Sequence, residues 1–190
     1  MCVIYDQYFT QGLKTAYCSY YENLPNGWIL SRLDGVVNVL DHLRRPINST
    51  ERNERVKGKS EVELYPYYGA TGQVGHIDEY IFDGEYILLG EDGAPFLDKN
   101  AYKAYLLDGK FWVNNHAHIL ETKINTKYLH YLLNAIDYGA YVSGTTRLKL
   151  TQADMNRILL PIPPLCEQQR IVKVVEYGFE ILNRLDTTLN

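Results

Sequence analysis

A run of three prolines, Pro161, Pro163 and Pro164, is the feature that most constrains how this chain can fold. Proline fixes φ at about −65° and has no backbone N–H to donate, so we expect no regular structure to continue through the run. A new helix must then begin near Leu165, and Glu167 in its first turn suits the positive end of the helix dipole. The segment Leu160–Arg170 therefore ends one folded unit and directs the chain into another.

The helix predicted at Leu165–Leu189 carries apolar residues at intervals of seven, which is typical of helices that pack lengthwise against each other. At about 1.5 Å per residue this helix is about 37 Å long, too long for a small domain to bury along its whole length. We predict that residues 164–190 form an interaction arm, with a helix packed on its own domain as the alternative. The predicted contact residues are Ile171, Val174, Val175, Ile181, Leu182 and Leu185.

Residues 24–163 contain short apolar segments separated by glycine turns, a pattern typical of β-strands. Asp83-Gly84 predicts a hairpin. Helices are predicted at Ile29–Leu43, Asn125–Ala135 and Gln152–Ile158, the second capped by Asn125 or Thr126 and the third by Thr151. The expected fold is α+β: a twisted mixed or antiparallel sheet with flanking helices, then a long coiled-coil-like C-terminal helix. Residues 1–23 are expected to be a loosely attached lead-in.

The net charge of −4 argues against binding a polyanion through a global positive field. A local basic stretch exists at residues 42–59, where six cations stand against Glu51 and Glu54; a solvated flexible loop is the alternative. Cys2, Cys18 and Cys166 lie far apart, so neither a disulfide framework nor a zinc site is indicated. Since the chain has no long apolar run and no basic-then-apolar N-terminus, we expect a cytoplasmic protein without membrane contact.

Five segments occur in an order that resembles one half of the specificity subunit of type I restriction-modification systems. They are Leu24–Trp28, Tyr65–Gly72, Ile87–Gly93, Trp112–His118 and Leu160–Ile171. The resemblance implies a domain that reads double-stranded DNA, followed by a helical spacer. Family members carry two such domains on two antiparallel spacers, each reading half of a split target. Adenine-methylating modification subunits dock on them, and motor-nuclease restriction subunits complete the complex.

This chain has one recognition domain, one proline run and one spacer, so it is either a fragment or pairs with a second recognition domain. Two identical copies joined through the arm would read an interrupted palindrome, because protein symmetry imposes symmetry on the site. No glycine-rich cofactor loop or methyltransferase motif is recognisable. The chain is therefore expected to be non-catalytic, without a cofactor of its own, while the partner subunits bind S-adenosylmethionine, ATP and Mg²⁺.

Base reading needs polar side chains on loops, together with cations for the phosphates. One candidate segment is Tyr67–Gln73, where glycines let the backbone approach DNA and the tyrosines either stack on it or anchor the sheet. A second is Ser143–Lys149, and the third is the basic stretch, whose Arg52, Arg55, Lys57 or Lys59 are candidate guanine readers. The predicted DNA contacts are Arg44, Arg45, Arg52, Arg55, Lys57, Lys59, Tyr67, Tyr68, Gly69, Thr71, Gly72, Gln73, Ser143, Thr145, Thr146, Arg147 and Lys149.

Three other functions are compatible with parts of the sequence. Glu91, Asp92 and Gly93 with Asp83 and Glu85 form an acidic group suited to a metal-dependent nuclease, although Gly90–Gly93 reads more simply as a turn. His116 and His118 have the spacing of two metal ligands on one face of a strand, with His76 as a conceivable third, but a buried polar network explains them better. A tyrosine-rich protein-interaction module joined through the arm is the third alternative. We predict no metal site.

Overall fold

The structure is a computed structural model that describes residues 24–189, so the predicted lead-in at 1–23 lies outside the described residues. Ten strands are found within 24–189: β1 (Ile29–Arg32), β2 (Val37–Val39), β3 (Tyr65–Gly69), β4 (Gly72–Ile77), β5 (Phe82–Asp83), β6 (Tyr86–Gly90), β7 (Ala104–Leu107), β8 (Lys110–Val113), β9 (Ala117–Thr122) and β10 (Leu159–Ile162). The α-helices of this range are α1 (Leu33–Val36), α2 (Ser49–Val56), α3 (Thr126–Ala135), α4 (Gln152–Asn156) and α5 (Leu165–Leu189). None of these helices is long and apolar enough to cross a bilayer.

The first four-stranded sheet, in the order β2-β9-β6-β7, lies at the centre of the core, and each neighbouring pair in it is antiparallel. Its inner strands β6 and β9 are almost wholly buried. Ile87, Leu88 and Leu89 of β6 have no solvent exposure, and neither do Ile119 and Leu120 opposite them. A strand covered on both faces carries consecutive apolar residues instead of alternating ones, which explains this pattern.

The second sheet has the order β4-β3-β8-β5 and is mixed. β3 and β8 run parallel, whereas β4 and β5 are antiparallel to their neighbours. Aromatic residues hold this sheet on its two faces: Phe82 stacks on Phe111 at 5.5 Å between ring centroids, and Tyr67 and Trp112 are buried together. The predicted α+β fold with mixed and antiparallel sheets is thereby confirmed.

The hairpin predicted at Asp83-Gly84 is wrong. β5 before the turn pairs with β8, while β6 after it pairs with β7 and β9, so the chain passes from one four-stranded sheet to the other here. Gly84 has a φ of +134°, and its backbone exchanges two 3.1 Å hydrogen bonds with Gly109. The chain therefore crosses from one sheet to the other at Gly84, and this glycine does not form the tip of a hairpin.

A separate two-stranded sheet joins β1 to β10, with Leu30 opposite Pro161. Regular structure thus reaches into the proline run, contrary to the expectation for Pro161. Proline is tolerated in such a strand when the missing N–H points away from the neighbouring strand. The helix predicted at Ile29–Leu43 is also wrong: this segment forms β1, the single turn α1, β2 and a 3-10 turn at Asp41–Leu43.

The helices predicted in the C-terminal third are confirmed, apart from small differences at their ends. Asn125 caps α3 by accepting a hydrogen bond from the Tyr128 N–H at 2.9 Å. Thr151 caps α4 through the Asp154 N–H at 3.2 Å. Side-chain oxygens at these positions satisfy backbone donors that have no partner inside the helix, so the caps define where both helices begin.

The long helix α5 begins after Pro164, as predicted, and its first half packs on the domain. Val172 is buried in the core, the Lys127 ammonium lies 2.6 Å from Glu176, and the Tyr131 and Phe179 rings are 5.9 Å apart. Gln168 is 3% exposed: its amide donates to the Pro163 carbonyl, and its oxygen accepts from the Asn125 N–H, each at 2.9 Å. One buried side chain therefore links the proline run, the start of α3 and the start of α5.

From Val174 onward, α5 leaves apolar side chains in solvent. Of the predicted contact residues, Ile171 packs against the core and Val175 is half-buried. The remaining four are exposed: Val174 by 60%, Ile181 by 40%, Leu182 by 57% and Leu185 by 54%. The start of α5 is therefore packed on the domain, while four of the six predicted contact residues are exposed on the same helix.

Candidate nucleic-acid interface

A cleft of about 660 Å³ opens where four connecting segments meet. These are the β3–β4 turn, the turn that follows β6, the β8–β9 turn and the loop before α4. We call it the four-loop cleft; its lining residues are Gly69, Ala70, Thr71, Val74, Asp92, Gly93, Ala94, Asn114, His116, Thr146, Arg147 and Leu148. Two of the three predicted DNA-reading segments, around Thr71 and around Arg147, therefore lie side by side although they are distant in sequence.

Strand pairing places these segments together. In the first sheet Gly90 is opposite Ala117, so the turn after β6 adjoins the turn before β9, and the Glu91 N–H donates to the His116 carbonyl at 2.8 Å. In the second sheet the Asn114 N–H donates to the Tyr68 carbonyl at 3.0 Å, which seats Asn114 beside Gly69. The ends of strands from both sheets thus converge on one edge of the molecule.

The loop at residues 143–149 is closed at its base by backbone hydrogen bonds. Ser143 and Lys149 exchange two, of 2.9 and 2.8 Å, and the Leu148 carbonyl accepts from the Gly93 N–H at 2.9 Å. Gly144 has a φ of +102°, a conformation that favours glycine. The closure leaves Thr145, Thr146 and Arg147 exposed at the tip.

Next to the turn that follows β6 lies a partly buried ion-pair network of Asp41, Arg44, Glu91 and His118. The Arg44 guanidinium bridges Glu91 at 2.6 Å and Asp41 at 3.2 Å. His118 has no solvent exposure; its Nδ1 lies 2.6 Å from Asp41 and its Nε2 lies 2.9 Å from the Leu150 carbonyl. The network therefore fastens the turn after β6 to the end of the 143–149 loop.

The charge balance of this network is visible at Asp41. Burial alone would raise the pKa of its carboxyl, but the hydrogen bond and charge of His118, the Ile119 N–H and the Arg44 charge outweigh burial and hold the pKa below its ordinary value of 3.8. Ligand atoms of Asp41, Glu91 and His118 lie within 4.8 Å of one another, a spacing that suits a metal ion. Because the guanidinium already bridges both carboxylates, a structural role explains the cluster better.

The histidine pair and the acidic group are each divided by the fold. His116 lies in the turn before β9 and only His118 is on the strand, so the two do not share a strand face. Asp83 and Glu85 precede β6 while Glu91 and Asp92 follow it, which separates the two pairs by about 20 Å at about 3.3 Å per residue. Neither arrangement supports the metal site or the nuclease that were considered as alternatives.

The predicted basic stretch is partly neutralised and partly free. Its centre is the helix α2, which replaces the flexible loop considered as an alternative. Arg44 belongs to the buried network, and Arg55 and Lys59 both pair with Asp78 at 2.6 Å, while Arg52 lies over the Tyr67 ring at 4.6 Å. Within residues 24–189, no ion pair is found for the exposed side chains of Arg45 and Lys57. These two are the best placed of the six to meet phosphates.

Several predicted residues of Tyr67–Gln73 face inward. Tyr67 is 2% exposed and donates to the Ile47 carbonyl, and Tyr68 packs edge-on against Phe111 on the opposite face. The two tyrosines therefore anchor the sheet, the alternative to stacking on DNA. Gly69 and Gly72 are buried as well, Gly69 against Asn114 and Gly72 against the Tyr105 ring, so both positions also serve close packing within the domain. Only Thr71 and Gln73 of this segment offer exposed polar groups.

Asp92, Asn114 and His116 line the cleft but were not among the predicted DNA contacts. The sequence did contain a signal, because both of their segments belong to the five that carry the family resemblance. What it lacked was the pairing of β6 with β9, a contact between residues about 27 positions apart that brings the two turns together.

Known proteins provide an independent comparison. A family model described as the type I restriction modification DNA specificity domain matches residues 25–190. A putative type I restriction enzyme specificity subunit of Haemophilus influenzae is 36% identical over 146 residues, which cover 76% of this chain and 35% of that protein. The chain thus spans about a third of the length of this relative.

Solved structures show the same fold. The type I restriction-modification S subunit of M. genitalium aligns with a TM-score of 0.61 at 16% identity, over 87% of this chain and 42% of that one. A chain from a study of complex assembly and conformational transition of the type I R-M system aligns with a TM-score of 0.63 at 18% identity over the same shares. The family predicted from the five segments is confirmed: the chain belongs to the type I restriction-modification DNA specificity domain family.

Proposed function

We propose that this chain binds double-stranded DNA in a sequence-specific manner through the four-loop cleft, as the specificity component of a type I restriction-modification system. The observation that carries this proposal is the convergence of Thr71, Asn114, Thr146 and Arg147 on one edge, on loops that backbone hydrogen bonds and a partly buried ion-pair network hold in place. Preorganised donors and acceptors on a firm base are what base-edge recognition requires.

The charges of the described surface fit local and not global attraction. With a net charge of −4, phosphate contacts must come from particular cations, and Arg45, Lys57 and Lys149 are exposed. Lys149 lies 3.4 Å from Glu91 and is 50% exposed, so it remains accessible at the rim of the loop. We propose these three as phosphate anchors, with Ser143 and Thr145 as further contacts at the same loop.

The exposed side chains of α5 support a helical partner. Val174, Ile181, Leu182 and Leu185 are all at least 40% exposed, a row of apolar surface that a second helix would cover. We propose that the partner is the spacer of a second recognition domain, in a second copy of this chain or in a longer protein. The paired domains would then read the two halves of a split target.

A non-catalytic role follows from the same proposal, since specificity subunits direct other subunits to the site. Modification subunits would supply adenine methylation with S-adenosylmethionine, and restriction subunits would supply ATP- and Mg²⁺-dependent cleavage, while this chain holds no cofactor. It would act in the cytoplasm, together with the DNA that it reads.

Electrophoretic mobility shifts with the cognate modification subunit test the proposal. We expect a complex that prefers some DNA sequences over others at 150 mM salt, whereas sequence-independent binding weakens steeply with salt. A mixture that shows no sequence preference at any salt concentration would refute it. Metal-dependent cleavage by the purified chain alone would favour a nuclease instead.

A further inference from the structure

The Arg147 guanidinium is fixed along one edge and exposed along the other. Its Nε lies 2.7 Å from Asp92 Oδ1, and its Nη2 donates to the Asp92 carbonyl at 3.4 Å. A guanidinium has five N–H groups. The ion pair at Nε and the hydrogen bond from Nη2 lie on the same edge, so the two N–H groups of Nη1 and one of Nη2 remain on the other edge. With the side chain 59% exposed, the remaining three point away from Asp92.

Two glycines allow this arrangement. A Cβ on Gly93 would stand 2.9 Å from Arg147 Nε, and a Cβ on Gly144 would collide with the Arg147 carbonyl oxygen. Both residues have positive φ, +80° and +102°, so a side chain would be strained there for a second reason. The close approach of Arg147 to the 92–93 turn therefore depends on the backbone of both loops.

We propose that Arg147 reads a guanine in the major groove and that Asp92 is the residue that positions it. Guanine presents two acceptors there, O6 and N7, which match the two outer nitrogens of a guanidinium. The contact between Nε and the Asp92 carboxylate leaves N–H groups on both outer nitrogens of Arg147 free and restricts the rotamers of its side chain before DNA binds. The inference rests on the proposed function, since it presupposes that the four-loop cleft faces DNA.

A phosphate contact by Arg147 is the competing explanation, and Asp92 argues against it. A carboxylate 2.7 Å from the guanidinium would repel a phosphate at the same position, whereas a base edge carries no net charge. The rest of the cleft is also suited to bases: Thr71, Asn114 and Thr146 offer neutral hydroxyl and amide groups. The unpaired cations Arg45 and Lys57 belong to the basic stretch, outside the residues that line the cleft.

The test uses the full chain in complex with its modification subunit. A target is first selected from random duplex DNA with the wild-type complex, and binding to it is then compared with binding to duplexes changed at each position. We expect one guanine whose replacement weakens wild-type binding roughly 5- to 150-fold, the range for one bidentate contact. Replacing that guanine with 7-deazaguanine, which lacks the N7 acceptor, should weaken wild-type binding as well.

Two variants separate reading from anchoring. R147K keeps the charge but loses the fork, so the preference for that guanine and the effect of 7-deazaguanine should disappear. D92N should also lower the preference, while binding to unrelated DNA becomes tighter because a negative charge is lost. R32K is the matched control: Arg32 is 53% exposed and likewise bonds one carboxylate and one backbone carbonyl, Asp34 and Asn156, but it does not line the cleft.

The possible failures are distinguishable. If the wild-type complex selects no sequence, the proposed function fails and the inference fails with it. If the wild type selects a sequence but R147K keeps every base preference, Arg147 reads no base and only the inference is overturned. If R147K loses one guanine preference while D92N keeps it, the positioning role of Asp92 is overturned, whatever D92N does to binding of unrelated DNA.

Discussion

Gln168 offers the sharpest test of how the domain is joined to its C-terminal helix. Its side chain makes one hydrogen bond to the Pro163 carbonyl and one from the Asn125 N–H, and it is 3% exposed. Q168L keeps an uncharged side chain of similar length but removes both hydrogen bonds. The Asn125 N–H and the Pro163 carbonyl would then be buried without this partner, and each such group lowers the free energy of unfolding by about 1–3 kcal/mol.

The expected loss in the free energy of unfolding is therefore about 2–6 kcal/mol for Q168L. For a domain of this size, each 1 kcal/mol lowers the Tm by about 2–4 °C, so we expect a fall of about 4–24 °C. Q168E should keep the hydrogen bond from the Asn125 N–H, because a carboxylate still accepts it. It loses the bond to the Pro163 carbonyl and places a negative charge against that oxygen.

Urea and thermal unfolding of the full chain, followed by circular dichroism, measure the effect. The control is Q169L, which makes the same replacement at the exposed neighbouring position. If Q168L and Q169L differ by less than about 0.5 kcal/mol, the spread expected for ordinary surface substitutions, the linking role assigned to Gln168 is incorrect.

Three further predictions concern charge, DNA and assembly. The pKa of Asp41 is held below 3.8 in the folded chain, so its contribution to stability is full above pH 3.8 and is lost as the pH falls through the folded pKa. When the free energy of unfolding is measured against pH, D41N should therefore lose less stability at acid pH than the wild type. The same acid loss in both proteins would contradict this. K57A should reduce the magnitude of the slope of log K against log salt for DNA binding by about 0.9. R55A should reduce it less, since Arg55 is already paired with carboxylates. Equal slopes for the wild type and K57A would exclude a phosphate contact by Lys57. L182E should abolish pairing through α5 in light scattering, while the adjacent N183E should not, and a monomeric wild-type chain would rule out a homodimer.

The sequence predicted the elements whose ends are set locally. Asn125, Thr151 and the proline run each define a helix start within a few residues, and all three starts agree with the structure. The segment Ile29–Leu43 shows the opposite case. Leu33, Val36 and Val37 are buried and have the spacing of a helix face, but only the single turn α1 is helical here. The residues on either side of it pair as strands, β1 with β10 and β2 with β9. Pairings between distant strands are not visible in a local period.

The helix α2 was missed for a related reason. Its sequence, Ser49–Val56, has no apolar face, and none of its residues is buried. It is held instead by Arg52 over the Tyr67 ring and by Arg55, which lies over the Trp112 ring and pairs with Asp78. Likewise, the loops of the cleft were found individually from their polar residues, but the sheet pairings that place Asp92 beside Arg147 could not be derived from spacing.

The closure of the loop at residues 143–149 has a consequence for how recognition can change. Its base is joined by main-chain atoms of Ser143, Lys149, Gly93 and Leu148, and only Gly144 is required for its conformation. The three tip residues can therefore be exchanged for others without removing a single one of these bonds. A library randomised at Thr145, Thr146 and Arg147 should consist largely of folded proteins, from which new DNA preferences can be selected on an unaltered scaffold.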